Sequence, residues 1–310
     1  MTRRTGADAT ARGNPARRPV VVMVMTIPRA ALAAVLVLGL GACAERGSTG
    51  GPSAATSSSE APSEAAASEG LVLRVEHTGG FVTPSMTAGR LPLVSVYADG
   101  RVITEGPVIA IYPAPALPNL QVAEIGEDDV QDLVDRALAA GVADTADLGM
   151  PPVADAPSTR FTLVTSEGTY EREVYALWET PEGSGLTPEQ DEARSRLSDL
   201  LAALTDPGTV TTTPYAPESV AAVVTPWIDP QDGLAQAGLP WPGPALPGQP
   251  TGGPPDVTCV TASGAEAQAL LAAAGNGNAA TPWLTGDGSR WSVTFRPLLP
   301  EETGCADLGD

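Results

Sequence analysis

From Leu71 the hydrophobic positions alternate: Leu71, Leu73 and Val75 fall on one side of a two-residue period, and Val72, Arg74 and Glu76 on the other. That pattern predicts a strand. Two β-rich runs, Leu93–Tyr97 and Arg101–Thr104, flank Asp99-Gly100. This dipeptide accepts the positive φ of a type I′ turn, so the pair predicts a hairpin. "VIAIYP" (108–113) reads as a further strand. The period then lengthens. Val130, Leu133, Val134 and Leu138 form one apolar stripe, Glu127, Asp128 and Asp129 crowd the first turn, and Gly141 follows as a stop. Negative charge is favoured at the helix N-terminus and glycine at its C-terminal exit, so a helix is expected here. "RFTLVTSEGTYEREVYAL" (160–177) repeats strand, turn, strand about Glu167-Gly168. Thr187-Pro188-Glu189-Gln190 then opens a second helix with a Thr N-cap, Pro in the first turn and Gln closing a capping box. Ala193, Leu197, Leu200, Leu201 and Leu204 form its core face, and Pro207 ends it.

Strands, helix, strands, helix over residues 70–206 predict an α+β domain, an antiparallel sheet with two helices on one face. Residues 207–256 are expected to act as a linker. They contain "SVAAVVTPWI" (219–228), which is compatible with a strand, and the Pro/Gly-dense "LPWPGPALPGQPTGGPPD" (239–256). A small unit is expected over 257–310: a "VTCVT" strand, a helix from Ala265 to Ala274, a break at Asn276-Gly277, a turn at Asp287-Gly288 and the strand "RWSVTFRPLLP". Trp227, Trp241, Trp283 and Trp291 fall in these last two stretches.

The N-terminal part has a different pattern. Ala30–Ala42 contains only Ala, Leu, Val and Gly, with Arg29, Arg18 and Arg17 before it. A basic segment followed by an apolar run of this length reads as a secretory signal over residues 1–42. Thirteen residues rise only about 20 Å as a helix, short of a ~30 Å hydrocarbon core. The alternative, a spanning helix, would have to recruit Val20–Ile27 and cross Pro28 and Arg29. Met23 or Met25 is the expected true start, since the stretch from Met25 is by itself a full signal.

Charge excludes several function classes. There is no lysine; six of the 17 arginines and one of the 37 acidic residues precede Cys43, leaving 11 basic against 36 acidic residues, a net of −25. Nucleic acid is therefore not an expected partner, because counterion displacement from phosphate needs a basic surface. Anionic lipid is equally disfavoured, and membrane attachment must be covalent or spanning.

Leu40-Gly41-Ala42-Cys43 resembles the lipobox of bacterial lipoproteins. The resemblance implies cleavage between Ala42 and Cys43, a diacylglycerol on the Cys43 thiol, and lipid-anchored placement on the extracytoplasmic face of the cell membrane. Two acyl chains hold stably where one is marginal. Residues 43–69 would then be the lipidated cysteine and a flexible Ser/Ala-rich tether, which lacks apolar residues larger than Ala. As a coil it would reach roughly 25–30 Å. With Cys43 lipidated, Cys259 and Cys305 remain as two thiols in an oxidising compartment, and a disulfide between them is expected. A metal pair is the alternative, with one histidine in the chain to support it. Residues 71–206 resemble a family of uncharacterised bacterial secreted and lipoprotein domains. The carriers are Thr78, the Tyr97-x-Asp99-Gly100-x-Val102 hairpin with Gly106, the Ser158-Thr159 strand, Gly168 and the helix opened by Thr187. Many members have a cysteine pair where this chain has "GGFVTPS" (79–85). The resemblance implies no activity. "RPLLPEETGC" (296–305) is similar to C-termini of lipoproteins from high-GC Gram-positive bacteria.

No catalytic constellation stands out, and the protein is expected not to be an enzyme. The only histidine, His77, sits at a strand end without a Gly-x-Ser-x-Gly elbow to serve. Clustered zinc ligands are missing. The acids of "GEDDVQD" are spaced for a helix start rather than a calcium loop. "GNGNAATPW" and "TGGPPD" have no Lys and no strand-to-helix setting for phosphate. No cofactor is expected. The favoured function is an interaction or structural protein whose partner is another envelope protein. The alternative is a small-molecule-binding lipoprotein in which Trp227, Trp241, Trp283 and Trp291 line a groove and Arg290 or Arg296 meets an anion. Those tryptophans serve equally as the core of an aromatic-poor unit.

Overall fold

A computed structural model describes residues 70–308, save 182, 207–209 and 235; the expected signal, Ala42, Cys43 and the tether to Glu69 lie outside the described residues. Seven strands make the first sheet: β1 (Leu71–Gly79), β2 (Val94–Tyr97), β3 (Arg101–Glu105), β4 (Leu120–Glu124), β5 (Pro157–Thr165), β6 (Gly168–Tyr175) and β7 (Thr212–Pro214). Their spatial order is β6-β5-β1-β2-β3-β4-β7, and every neighbour is antiparallel. Asp99-Gly100 makes the β2–β3 turn, with Gly100 at φ +88 and so close to β4's exit that a Cβ would stand 2.2 Å from the Ile125 carbonyl oxygen. Only glycine fits that turn.

Two helices cover one face, α2 (Glu127–Ala139) and α3 (Pro188–Thr205); a five-residue helix, α1 (Pro84–Ala88), precedes them. Alternation aims Leu73, Val75, Val94, Val96, Phe161, Leu163 and Val174 at Val130 and Ala137 of α2 and at Leu197, Leu200, Leu201 and Leu204 of α3. The acids of α2 lie in its first turn, where the Asp129 carboxylate accepts the Gly126 amide. Thr187 and Gln190 form the expected capping box on α3. Leu138 departs from the expected stripe: it is 41% exposed, and Ala137 is the buried member of that turn. A bulge between Leu71 and Leu73 also diverts Leu71 from the expected alternation, and it joins Tyr97, Ile103, Leu120 and Leu299 on the opposite face.

The stretch expected to be a linker instead builds much of a second sheet. β8 (Ser219–Pro226), β9 (Leu239–Pro240), β10 (Gln249–Pro250), β11 (Thr258–Ser263), β12 (Trp283–Leu284) and β13 (Arg290–Pro297) run in the order β10-β11-β8-β13-β12-β9. The run Val220–Val224 is buried on both faces, which is why it reads as continuous apolar residues without a period. Only the β12–β9 pair is parallel. Helix α4 (Gly264–Ala274) lays Ala267, Leu270 and Ala274 on one side of this sheet. On the other side Ala88 of α1 meets Val223 and Val257, and Ala221 meets Leu298. Cys259 of β11 and Cys305 form the expected disulfide, with Cα atoms 5.9 Å apart.

"VIAIYP" is not a strand. Pro107 and Pro113 lack ladder donors, and the Ile111 amide turns back to the Ile109 carbonyl at 3.0 Å, so residues 106–119 run as an irregular loop. The next strand is β4, "LQVAE".

Candidate functional site

The four tryptophans do not line a groove. Trp283, Trp241 and Phe295 form an aromatic cluster, with ring centroids 5.8, 5.3 and 6.3 Å apart, inside the core of the second sheet, and Trp291 packs against it. Trp227 lies apart from this cluster, donating to the Ala280 carbonyl at 3.3 Å under the Arg290 guanidinium, 5.5 Å from its ring. The sheet needs large side chains to fill the space that its many alanines leave, and the tryptophans supply them. Arg296 does not await an anion. It is 3% exposed and paired to Glu302 at 2.6 Å.

That pair belongs to a clamp joining the two sheets. Arg296 sends Nε to the Arg90 carbonyl at 3.0 Å and Nη1 to the Pro297 carbonyl at 2.6 Å, while the second oxygen of Glu302 accepts the Leu299 amide at 2.7 Å. Glu301 reaches the first sheet directly, accepting the Tyr97 hydroxyl at 2.7 Å and pairing with Arg74. The Tyr215 hydroxyl donates to the Leu298 carbonyl at 2.8 Å. Burial raises the phenol pKa of both tyrosines, that of Tyr215 to about 12. Burial also lowers the Arg296 pKa, and Glu302 counters the shift. "RPLLPEETGC" is therefore clamp and disulfide in one stretch.

Beside the clamp, the outer face of β1, β5 and β6 is uncovered and charged. A cleft of about 220 Å³ opens there, with Arg74, Glu76, Arg160, Thr162 and Glu171 rising from the sheet. Arg90, Arg296, Glu302 and Asp307 form part of its walls. It takes four of the ten arginines among the described residues. Arg90 is tied to the carbonyls of His77 and Gly79 at 3.0 and 3.1 Å. Asp307 is capped by the Thr303 and Gly304 amides, which hold its carboxyl below the usual range. The Arg74 Nε is buried without a hydrogen-bond acceptor.

His77 is half-buried rather than solvated. Its ring meets Trp178 edge-on at 6.1 Å, its Nδ1 has no hydrogen-bond partner, and burial lowers its pKa from the ordinary value. No group of three or more metal-ligating side chains occurs among the described residues. None of the described helices is long and apolar enough to cross a membrane.

A second surface lies at the end of the first sheet away from the Asp99-Gly100 turn. Gly70 enters beside that turn, accepting the Ala98 amide at 2.9 Å, whereas the 106–119 loop leaves β3 at the other end. Residues 106–118 hold no charge, and Val108, Ile109, Ile111 and Tyr112 are 62%, 60%, 56% and 67% exposed. The loop is tied down on several sides. Gly106 donates to Asn119 at 2.7 Å, the Ala279 amide to Ala114 at 2.8 Å, and the Tyr112 hydroxyl to Asp232 at 2.7 Å. The 227–234 loop that holds Asp232 adds Ile228, 81% exposed, and Leu234, 49% exposed. A wider groove of about 620 Å³ lies where α2 and α3 leave β3 and β4 bare, with Val102, Ile125, Leu133 and Leu204 in its lining.

The sequence contained one signal for the apolar surface, an uncharged proline-flanked run, and none for the cleft, whose members stand more than two hundred residues apart. The chain matches no family model, no curated protein and no solved structure.

Proposed function

We propose that this chain is an extracytoplasmic lipoprotein, not an enzyme, anchored through a diacylated Cys43, and that its body docks another protein of the cell envelope through the 106–113 and 227–234 loops. The observation that carries this reading is the apolar surface. Six large apolar side chains stand in water on loops that hydrogen bonds hold in place. Contiguous exposed apolar area of this kind marks interaction surfaces, and preorganisation lowers the cost of using it. Charge argues for the partner's chemistry. Beyond Cys43 the chain has a net charge of −25, and Asp229 and Asp232 flank the patch, so a second copy and an anionic bilayer are both repelled. A protein face with apolar side chains ringed by Lys and Arg is the complement. The lipobox, tether and signal support the location.

Two measurements on native membranes test the two halves. Intact mass of the N-terminal peptide is expected to show a diacylated Cys43, lost together with membrane retention in Cys43→Ala; an unmodified, retained signal would refute the anchor. A photo-crosslinking residue at Ile109 is expected to join one protein through a basic face, and Ile111→Asp is expected to abolish the adduct. Adducts only to lipid or to the chain itself would refute the docking.

A further inference from the structure

We infer that the charged cleft beside the clamp is a binding site for a small zwitterion, a free α-amino acid. Most of its ionic groups already have partners. Arg296 and Glu302 hold each other, Arg90 holds strand-end carbonyls, and Asp307 is capped within its own turn. Four keep capacity to bind. Arg74 pairs with Glu301 through Nη2 but keeps a buried Nε without an acceptor, and Arg160 reaches Glu173 only at a long 3.5 Å through one Nη. Among the described residues Glu76 and Glu171 have no cation within salt-bridge distance, Glu76 acting on Arg296 only through space, and the Thr162 hydroxyl lies beside them in the lining.

The sheet register fixes how these groups sit. Glu76 stands opposite Arg160, and Thr162 stands between Arg74 on one side and Glu171 on the other. Directly opposed positions have Cβ atoms about 5 Å apart and diagonal neighbours about 7–8 Å. Arg74 and Arg160 are diagonal neighbours, near enough for one carboxylate to accept from both guanidinium groups. Glu76 and Glu171 flank them, each placed to accept from an ammonium. Charge-assisted pairs of this kind are the strong ones.

Selectivity follows from the same arrangement. A dianion such as phosphate meets Glu76 and Glu171, a simple cation meets Arg74 and Arg160, and each is penalised by like charge. A ligand with both signs on neighbouring atoms meets an opposite charge at each end, its carboxylate the two arginines and its ammonium one of the two glutamates. The volume, about 220 Å³, is room for roughly seven waters at ~30 Å³ each, an amino acid's size and below that of a drug-sized pocket of at least ~300 Å³.

The test is calorimetric titration of the purified full chain with each of the common α-amino acids, and with acetate, methylamine and inorganic phosphate as single-sign controls. At least one amino acid is expected to bind while all three controls do not. Arg160→Gln and Glu171→Gln lie outside the clamp, so their melting temperatures should equal the parent's while each weakens that amino acid tenfold or more. No heat with any amino acid at millimolar concentration overturns the inference. So does binding that ignores both substitutions, or phosphate binding as tight as the amino acid's. Because Ile111→Asp touches neither the cleft nor the clamp, it is expected to leave this binding intact.

Discussion

Replacing Glu302 by Gln removes one charge from the clamp and leaves its shape. The side chains of Arg296 and Glu302 are 3% and 5% exposed, and among the described residues their 2.6 Å contact is the one carboxylate within hydrogen-bond reach of the guanidinium. Its other two bonds go to neutral carbonyls of Arg90 and Pro297. A glutamine still accepts from one side, but the positive charge of Arg296 stays buried without a carboxylate in contact, Glu76 acting on it only from farther off. Breaking a buried pair in this way costs about 3–5 kcal/mol. With a urea slope of about 3 kcal/mol/M, the upper end for small proteins, the unfolding midpoint falls by about 1–1.7 M. Urea titration of the oxidised protein, followed by tryptophan fluorescence, reads this directly because the aromatic cluster lies in the sheet that the clamp secures. The double substitution Arg296→Met/Glu302→Leu should recover most of the loss, since apolar replacement of a whole buried pair is often neutral. A midpoint for Glu302→Gln close to the parent's, or a double variant no better than the single, would refute the clamp.

Gly100→Ala forces a Cβ against the Ile125 carbonyl at φ +88 and should lower stability by about 1–3 kcal/mol in thermal unfolding, whereas Gly79→Ala, also at positive φ but with open space around its Cβ, should cost less. Leu201→Ala, fully buried between α3 and the sheet, is expected to cost about 2–5 kcal/mol; a loss below 1 kcal/mol would mean the helix packs elsewhere. Opening Cys259–Cys305 with a double alanine substitution frees a separation of 46 residues, for which loop-closure entropy gives about 4 kcal/mol, and unchanged melting would contradict this. In alkali, Tyr215 holds its proton to about 12 in the folded state against an ordinary 10. The unfolded chain releases that proton first, so stability should fall between pH 10 and 12, and Tyr215→Phe should flatten the fall.

What the sequence revealed depended on how locally each element was specified. The Asp99-Gly100 hairpin, the Thr187 capping box and the charged start of α2 are each encoded within about four residues, and all three appear in the structure. "VIAIYP" has the same composition as a strand, but nothing local says whether a neighbour will pair with it, and none does. β8 was legible as a strand within "SVAAVVTPWI", but a strand buried on both faces shows no alternation to say that it is central to a sheet, and the prolines around it suggested a connector. The tryptophans were open to two readings, and packing with Phe295 decided between them. The clamp and the cleft were illegible for a simpler reason. Arg90 and Arg296 are 206 positions apart and Tyr97 and Glu301 are 204 apart, and no period or motif extends over such a gap.

That gap also sets a schedule for the growing chain. Tyr97, Ile103 and Leu120 emerge early in synthesis, yet Leu299, the residue that shields them, emerges about two hundred positions later. At roughly 5–20 residues per second the wait is about 10–40 s. Throughout it the first sheet has its helical side to close but an oily outer side still wet, and so offers a foothold to any chaperone that holds chains in transit. A ribosome that stalls before residue 296 leaves this cluster with Leu91 and Tyr215 against it but without Leu299. The late arrival of "RPLLPEETGC" thus separates a finished body from an interrupted one by a difference in exposed apolar surface.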